Sequence, residues 1–303
     1  MPQSGAWSGN PQGGVSAPDP ILIPNQATRF KRTAARLAGL AENHPMAGWL
    51  LFLSNLSQAQ HEAAQTIALS LPDAELIAKL SGGGMPPLAA DGHSRDPVWL
   101  DGLHSLVARF SAASGMPEEL AAVIADLDER SDDELEALAD RFLGASIPPE
   151  EAGQALFIAA ALQVYFTKLA AQLTPDQLNL LPERGLCPCC GSTPVAGVVT
   201  ASGKTPGVRY LYCSLCSTAW NYVRAVCICC GQSGNVAVRG IEEESEAIQA
   251  ETCDDCHTYS KAFYLAKDAD IDPYADDLAS LGLDLLSADA GWARHAPNPL
   301  LLG

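Results

Sequence analysis

All ten cysteines of the chain fall between Cys187 and Cys256, and eight of them form four C-x-x-C pairs: Cys187/Cys190, Cys213/Cys216, Cys227/Cys230 and Cys253/Cys256. Each cysteine of the first two pairs recurs 40 residues later in the last two, and 22 residues separate the pairs within each unit. Two thiolates held two residues apart can face one ion from a tight turn, and a second such turn completes a tetrahedral four-sulfur shell. A disulfide inside a C-x-x-C pair would close a very short loop and remove little unfolded-chain entropy. The spacing therefore predicts two four-cysteine metal sites, one per repeat unit.

At 303 residues with 48% hydrophobic side chains, the chain has material for two or three domains with real cores. Met1 to Pro20 is rich in Gly, Pro, Ser and Gln and carries neither a basic n-region nor an apolar h-region, so no secretory signal is expected. The longest apolar runs, Met46 to Leu53 and Ala155 to Leu162, fall short of the roughly 20 residues that span a bilayer. The expected location is cytoplasmic with no stable membrane insertion, and reduced thiols there favour metal over disulfides. Lys and Arg number 18 against 36 Asp and Glu, a formal charge of −18. Such a surface repels phosphate backbones, and the metal region holds six basic residues against eight acidic ones between Glu183 and Leu265. Nucleic acid is therefore not an expected partner, although zinc ribbons often serve that end.

From about Asn25 to Leu181, Ala and Leu recur at helical spacing. Helices are predicted at Arg29 to Leu40, Met46 to Leu71, Pro97 to Ala112, Pro117 to Asp128 and Pro149 to Leu173. Ser131 to Glu134 reads as a capping box opening a helix to Leu143, and Thr174 to Gln177 reads the same way with Pro175 at the first helical position. Ser81 to Pro87 is the expected long loop. The acidic run Glu118 to Asp140 is read as a solvated helix face.

At Glu183 the pattern changes. Each cysteine unit reads as a C-x-x-C-Gly turn, a strand (Val195 to Thr200; Asn235 to Arg239), a second strand (Val208 to Cys213; Ala247 to Cys253) and the second C-x-x-C. Ala219 to Val226 and Lys261 to Leu265 supply a third strand. Gly191 and Gly231 follow their pairs where a turn without a Cβ suits the knuckle. A C-terminal helix opens with Asp276 and Asp277 and packs a Leu278, Leu281, Leu285 stripe onto the body. The expected fold class is α+β: an all-helical N-terminal domain, two tandem rubredoxin-like or zinc-ribbon modules, and a C-terminal helix. Expected boundaries are a flexible polar leader over 1–24, the helical domain over 25–182, metal modules over 183–224 and 225–266, and a C-terminal helix and tail over 267–303.

Cys189 and Cys229 are left over, each inside a C-x-x-C turn, and read as spare thiols whose proton affinity neighbouring thiolates would raise. His257 could replace a ligand, but four cysteines already complete its set. Zinc and iron both accept four thiolates, so spacing leaves the choice open. Phosphate-loop, dinucleotide, nucleophile-elbow and H-E-x-x-H motifs are lacking, His44, His61, His93, His104 and His295 are scattered, and no catalytic residue is assigned.

Cys187-Pro-Cys-Cys-Gly-Ser-Thr-Pro-Val195, Arg209-Tyr-Leu-Tyr-Cys-Ser-Leu-Cys216 and Ala250-Glu-Thr-Cys-Asp-Asp-Cys256 resemble the formate dehydrogenase accessory protein family, FdhE. His44-Pro45, Ala59-Gln60, Ala275 to Leu281 and the closing Asn298-Pro-Leu-Leu-Leu302 agree. The resemblance implies a non-enzymatic cytoplasmic protein that helps respiratory formate dehydrogenase mature, contacting the immature catalytic subunit before export by the twin-arginine route. It also implies iron at rubredoxin-like sites, zinc being the alternative, with the four C-x-x-C pairs carrying over as ligands. His257 departs from the small residue expected there. The other reading is an electron-transfer protein acting on the partner during maturation.

Overall fold

The computed structural model describes residues 17–301 apart from 93, 113–114, 204 and 242–244. Most of the expected leader (1–16), His93 and Leu302 lie outside the described residues. The chain is α+β, with a helical N-terminal part and a mixed sheet carrying all the cysteines.

The helical part is built on one helix. Helices α1 (Arg29–Leu40), α2 (Ala47–Thr66), α3 (Ala74–Gly82), α4 (Val98–Ser111), α5 (Glu118–Glu129) and α6 (Asp132–Leu143) precede α7 (Ala152–Ala170), of which 15 of 19 residues are buried. Its Ala-, Leu- and Phe-rich sequence has no polar face because α2, α4, α5 and α6 pack around it. Among the described residues no helix is long and apolar enough to cross a membrane.

The Ser131 capping box forms as expected, with Glu134 N donating to Ser131 Oγ and Ser131 N to Glu134 Oε2. The Thr174 box forms too, but it opens only a 3₁₀ turn over Pro175–Gln177. The long helix expected to Leu71 stops at Thr66, where Ile67 turns extended. Asp73 then caps α3, accepting from the amides of Glu75 and Leu76.

The two cysteine units form one sheet. Strands β2 (Pro194–Val199), β3 (Arg209–Cys213) and β4 (Ala219–Tyr222) make the first antiparallel unit; β5 (Val236–Arg239), β6 (Ile248–Cys253) and β7 (Thr258–Tyr264) make the second. They join through a parallel β2–β7 pair in the register Val198↔Phe263. The order is β1-β4-β3-β2-β7-β6-β5, where β1 is Ile21–Leu22, inside the segment expected as leader, and β8 (Ala293–Arg294) pairs with β7. Ile21 is buried, and its pairing with Trp220 ties the chain start to the first unit.

Where the units meet, Arg209 is fully buried, ion-paired with Glu251 on β6, and donates to the carbonyls of Val223 and Val226 in the linker. Removing one partner of such a pair would leave an uncompensated buried charge. The chain entering the first unit lies hard against the second: a Cβ on Gly185 would stand 2.4 Å from the carbonyl oxygen of Ile228.

The C-terminal stretch departs from the single helix expected. It forms α8 (Ala275–Ala279) and α9 (Leu281–Asp289), broken at Ser280. The cause is buried Lys261, whose Nζ takes the carbonyls of Asp277 and Ser280 and ends α8 with a cation at its C-terminus. The break turns the apolar stripe: Leu278 and Leu283 are buried, Leu281 is half-buried and Leu285 is 68% exposed.

Gly185→Ala should separate the two cysteine units locally, because the obstructing atom is backbone. A loss of about 1–3 kcal/mol is expected for such overpacking, read by denaturant unfolding of the metal-loaded protein; an unchanged midpoint would show that the junction tolerates displacement.

Candidate metal centres

Each unit presents two knuckles to one point. Cys187–Cys190 leads toward β2 and Cys213–Cys216 joins β3 to β4; Cys227–Cys230 precedes β5 and Cys253–Cys256 joins β6 to β7. In each set the four sulfur atoms lie within 4.8 Å of one another. The closest approaches cross between knuckles: Cys187 to Cys216 at 3.5 Å and Cys190 to Cys213 at 3.4 Å, then Cys227 to Cys256 at 3.6 Å and Cys230 to Cys253 at 3.7 Å. A tetrahedral ion with metal–sulfur bonds of about 2.3 Å places its sulfurs about 3.8 Å apart. Each set could therefore hold one metal ion, and the eight cysteines singled out by spacing are the eight brought together.

The knuckles are shaped by backbone. Gly191 N and Gly231 N donate back to the carbonyls of Cys187 and Cys227, with φ of +79° and +73°. The second knuckle of each unit has Ser217 and His257 at that position, with φ of +61° and +53°. His257 thus stands one residue past its last cysteine in a left-handed turn, outside both four-sulfur sets, and its carbonyl accepts from Ala293 N. Two amides, Leu215 N and Cys216 N, donate to Cys213 Sγ at 3.3 Å each.

A second feature recurs that the cysteine spacing did not signal. Two residues past the last cysteine, Ser192, Thr218 and Thr258 set hydroxyls 3.4, 3.2 and 3.0 Å from Cys190, Cys216 and Cys256 sulfur. The pattern C-x-x-C-x-[ST] is visible in the sequence once the role is known. Cys190 and Cys216 donate their S–H to the Ser192 and Thr218 hydroxyls, and a hydroxyl so placed can turn to donate once the sulfur is a thiolate.

Several of the eight thiols differ in proton affinity. Burial foremost pushes Cys187, Cys213 and Cys216 well above the usual thiol range, whereas in Cys190 the neighbouring thiols and Ser192 outweigh burial and bring it well below. In the second set burial opposes, but Thr258 and the adjoining thiols bring Cys256 down to about 6. Cysteine binds metal as the thiolate, so cation uptake by either set releases protons.

The two centres differ in their surroundings. The four cysteines of the first are all buried, and the helical part holds both of its knuckles. Leu88 N and Ala90 N, just past the Ser81 to Pro87 stretch expected as a loop, donate to the carbonyls of Cys189 and Cys190. Gln163 on α7 donates to Ser214 O, Thr167 meets Ser217 Oγ at 3.0 Å, and Tyr274 hydroxyl donates to Cys213 O. In the second centre Cys230 and Cys256 reach the surface. A cleft of about 580 Å³ opens beside it, lined by Glu183, Arg184, Tyr222, Cys229 and Cys230.

The two spare thiols follow this division. Cys189 is sealed at 0% exposure, while Cys229 is exposed at the cleft. Partial burial, followed by the sulfurs of Cys256 and Cys227, raises the Cys229 thiol against the pull of Thr258.

Comparison with known proteins gives consistent matches along the chain. Residues 18–183 match the family model described as "FdhE, N-terminal", 186–224 the one described as "FdhE, central domain", and 225–301 the one described as "FdhE, C-terminal domain". A "Protein FdhE homolog" of Edwardsiella ictaluri is 37% identical over 283 residues, covering 93% of this chain and 91% of that protein. "Protein FdhE" of Escherichia coli K12 is 37% identical over 291 residues, with 93% and 91% covered. The crystal structure of the FdhE protein from Pseudomonas aeruginosa superposes with a TM-score of 0.84 at 36% identity, covering 93% of this chain and 98% of that one.

Unequal exposure predicts unequal release. Metal-loaded protein treated with a chelator should lose one equivalent at least about tenfold faster than the other, and Cys230→Ser should remove only the fast phase; a single phase for both equivalents would contradict the difference in shielding. His257→Gly should keep both equivalents and raise stability by up to about 1–2 kcal/mol, the cost of a left-handed side-chain-bearing residue; loss of one equivalent, measured by elemental analysis, would make His257 a ligand.

Proposed function

The chain belongs to the FdhE family of formate dehydrogenase accessory proteins, and on that premise we propose that it is a non-enzymatic cytoplasmic maturation factor whose second four-cysteine centre faces the immature catalytic subunit of respiratory formate dehydrogenase. The observation that carries this reading is the inequality of two centres with the same sulfur geometry. The first is buried and bonded from α7, the 85–90 loop and Tyr274; the second opens at Cys230 onto a cleft large enough to seat a peptide segment.

In this reading the residues divide the work. Cys187, Cys190, Cys213 and Cys216 hold an ion that fixes the sheet against the helical part, since a metal supplies much of the folding free energy of so small a unit. Cys227, Cys230, Cys253 and Cys256 hold an ion near the surface, and Arg184, Tyr222 and Cys229 line the cleft that a partner would enter. The donor set fits iron and zinc alike; iron is proposed on the family resemblance. Iron in such a shell supplies a one-electron couple, whereas zinc supplies none.

A second reading is electron transfer to the partner during maturation, favoured by the surface position of Cys230 and Cys256. It shares the first reading's docking event and adds a redox step.

The test is an anaerobic pull-down of the immature catalytic subunit by the metal-loaded protein, alongside an Arg184→Glu, Tyr222→Ala variant of the cleft. Capture by the wild type and at least about tenfold weaker capture by the variant are expected, with metal content unchanged. No capture by the wild type would overturn the maturation reading, and equal capture by both would move the contact away from the second centre. Two zinc equivalents from anaerobically purified protein, with no visible band that bleaches on reduction, would remove the electron-transfer reading.

A further inference from the structure

Two arginines of this acidic chain face a pocket without a carboxylate of their own. Arg29 and Arg32 lie three residues apart in the first turn of α1, so their side chains project from the same side of the helix. Both line a pocket of about 300 Å³ between the start of α1, β1 and the segment before α8. Among the described residues neither makes an ion pair, although acidic residues outnumber basic ones 36 to 18 in the chain.

Arg29 is already aimed. Its Nε donates to Ser217 Oγ at 2.9 Å and one terminal nitrogen to Thr33 Oγ1 at 2.7 Å, while its guanidinium stacks 3.3 Å from the ring centre of Tyr274. These contacts leave the other terminal nitrogen unpartnered among the described residues. Arg32 and the hydroxyl of Tyr212, which share the pocket, likewise have no hydrogen-bond partner among them. Thr28, the residue capping α1, makes no side-chain cap bond, so the positive end of the helix adds to the same field.

One carboxylate does line the pocket. Asp272 Oδ1 accepts from Thr33 Oγ1 and from the amides of Tyr274 and Ala275. Its charge offsets one guanidinium and leaves a net single positive charge. The remaining wall is mixed: Leu22, Val198, Leu265 and Ile271 give it an apolar side, and Asn25, Thr28 and Ser217 are polar. A pocket of this volume lies at the small end of ligand sites.

We propose that this pocket binds a monocarboxylate with a short apolar body, the carboxylate on Arg29, Arg32 and the Tyr212 hydroxyl and the body against Val198, Leu265 and Ile271. A planar carboxylate matches the guanidinium fork, and one net charge suits a monoanion better than a phosphate dianion. The site touches the first centre through two short paths. Arg29 bonds Ser217, the residue after Cys216, and stacks on Tyr274, whose hydroxyl holds Cys213 O. Two sources share this chemistry: a free short-chain acid, or the C-terminal carboxylate of a polypeptide.

The experiment is titration calorimetry on the full-length, metal-loaded protein in chloride-free buffer, with butyrate, butyramide, inorganic phosphate, and an N-acetylated tripeptide ending in valine as free acid or amide. Butyrate or the free-acid peptide should bind, with the amide of each at least about tenfold weaker. Arg32→Gln, at an exposed position outside the Ser217 and Tyr274 contacts, should weaken the same ligand about tenfold, and Tyr212→Phe less. Tighter binding by the peptide acid than by butyrate identifies a chain end as the source, and the reverse a free acid. Absence of binding by both acids, binding unchanged in Arg32→Gln, or tighter binding by phosphate than by either acid overturns the assignment.

Discussion

The demand that four sulfurs meet around one point governs the two cysteine units, from Cys187 to the start of β7. Two chain reversals must face each other at a sulfur spacing close to 3.5 Å, so the strands leaving them are forced side by side and the 22 residues between them become a hairpin. The left-handed turns at Gly191, Ser217, Gly231 and His257 follow from the same demand, because only that backbone carries each knuckle's chain away from the point it has just enclosed. The helical part then completes the first centre: α7 is apolar nearly throughout, yet its two buried polar side chains at Gln163 and Thr167 meet the residues that flank Cys213 and Cys216.

Buried charge joins the parts. Arg36 on α1 binds Asp268 and Asp276, Thr33 binds Asp272, and Lys261 and Arg294 converge on Asp277 and Asp284. Such pairs give little net stability against apolar replacements, but breaking one partner leaves a charge in a dry site. They act as registration marks that define where the C-terminal helices sit.

The parts of this design that repeat locally are legible in the sequence. The cysteine offsets yield both sulfur sets, and the capping boxes at Ser131 and Thr174 form with the partners their spacing implies. Legibility ends where a residue's partner lies far along the chain. Ile21 pairs with Trp220, and nothing within its own neighbourhood distinguishes it from leader sequence. Lys261 breaks the C-terminal helix from 19 residues away, so periodicity placed Leu285 inward when it faces solvent. The contrast between the two centres is likewise hidden, since Cys190 and Cys230 have equivalent positions in the repeat and their difference in exposure comes from what covers them.

The parallel β2–β7 pair also decides how the duplication is assembled. The first strand of one unit binds the third strand of the other, and all three strands of each unit run in the same sense as their counterparts. The two copies are therefore related by a step along the sheet, without the closed symmetry that two like faces would give. A stepwise array of that kind has unlike ends. At one end β1 occupies the free side of β4 and acts as a stopper; at the other β5 stands as an edge, four residues long and ending in Arg239, a length and charge that discourage further pairing. The pair of units is the shortest member of a series that the joint itself would let continue, and what closes it is the N-terminal segment on one side and a short edge on the other.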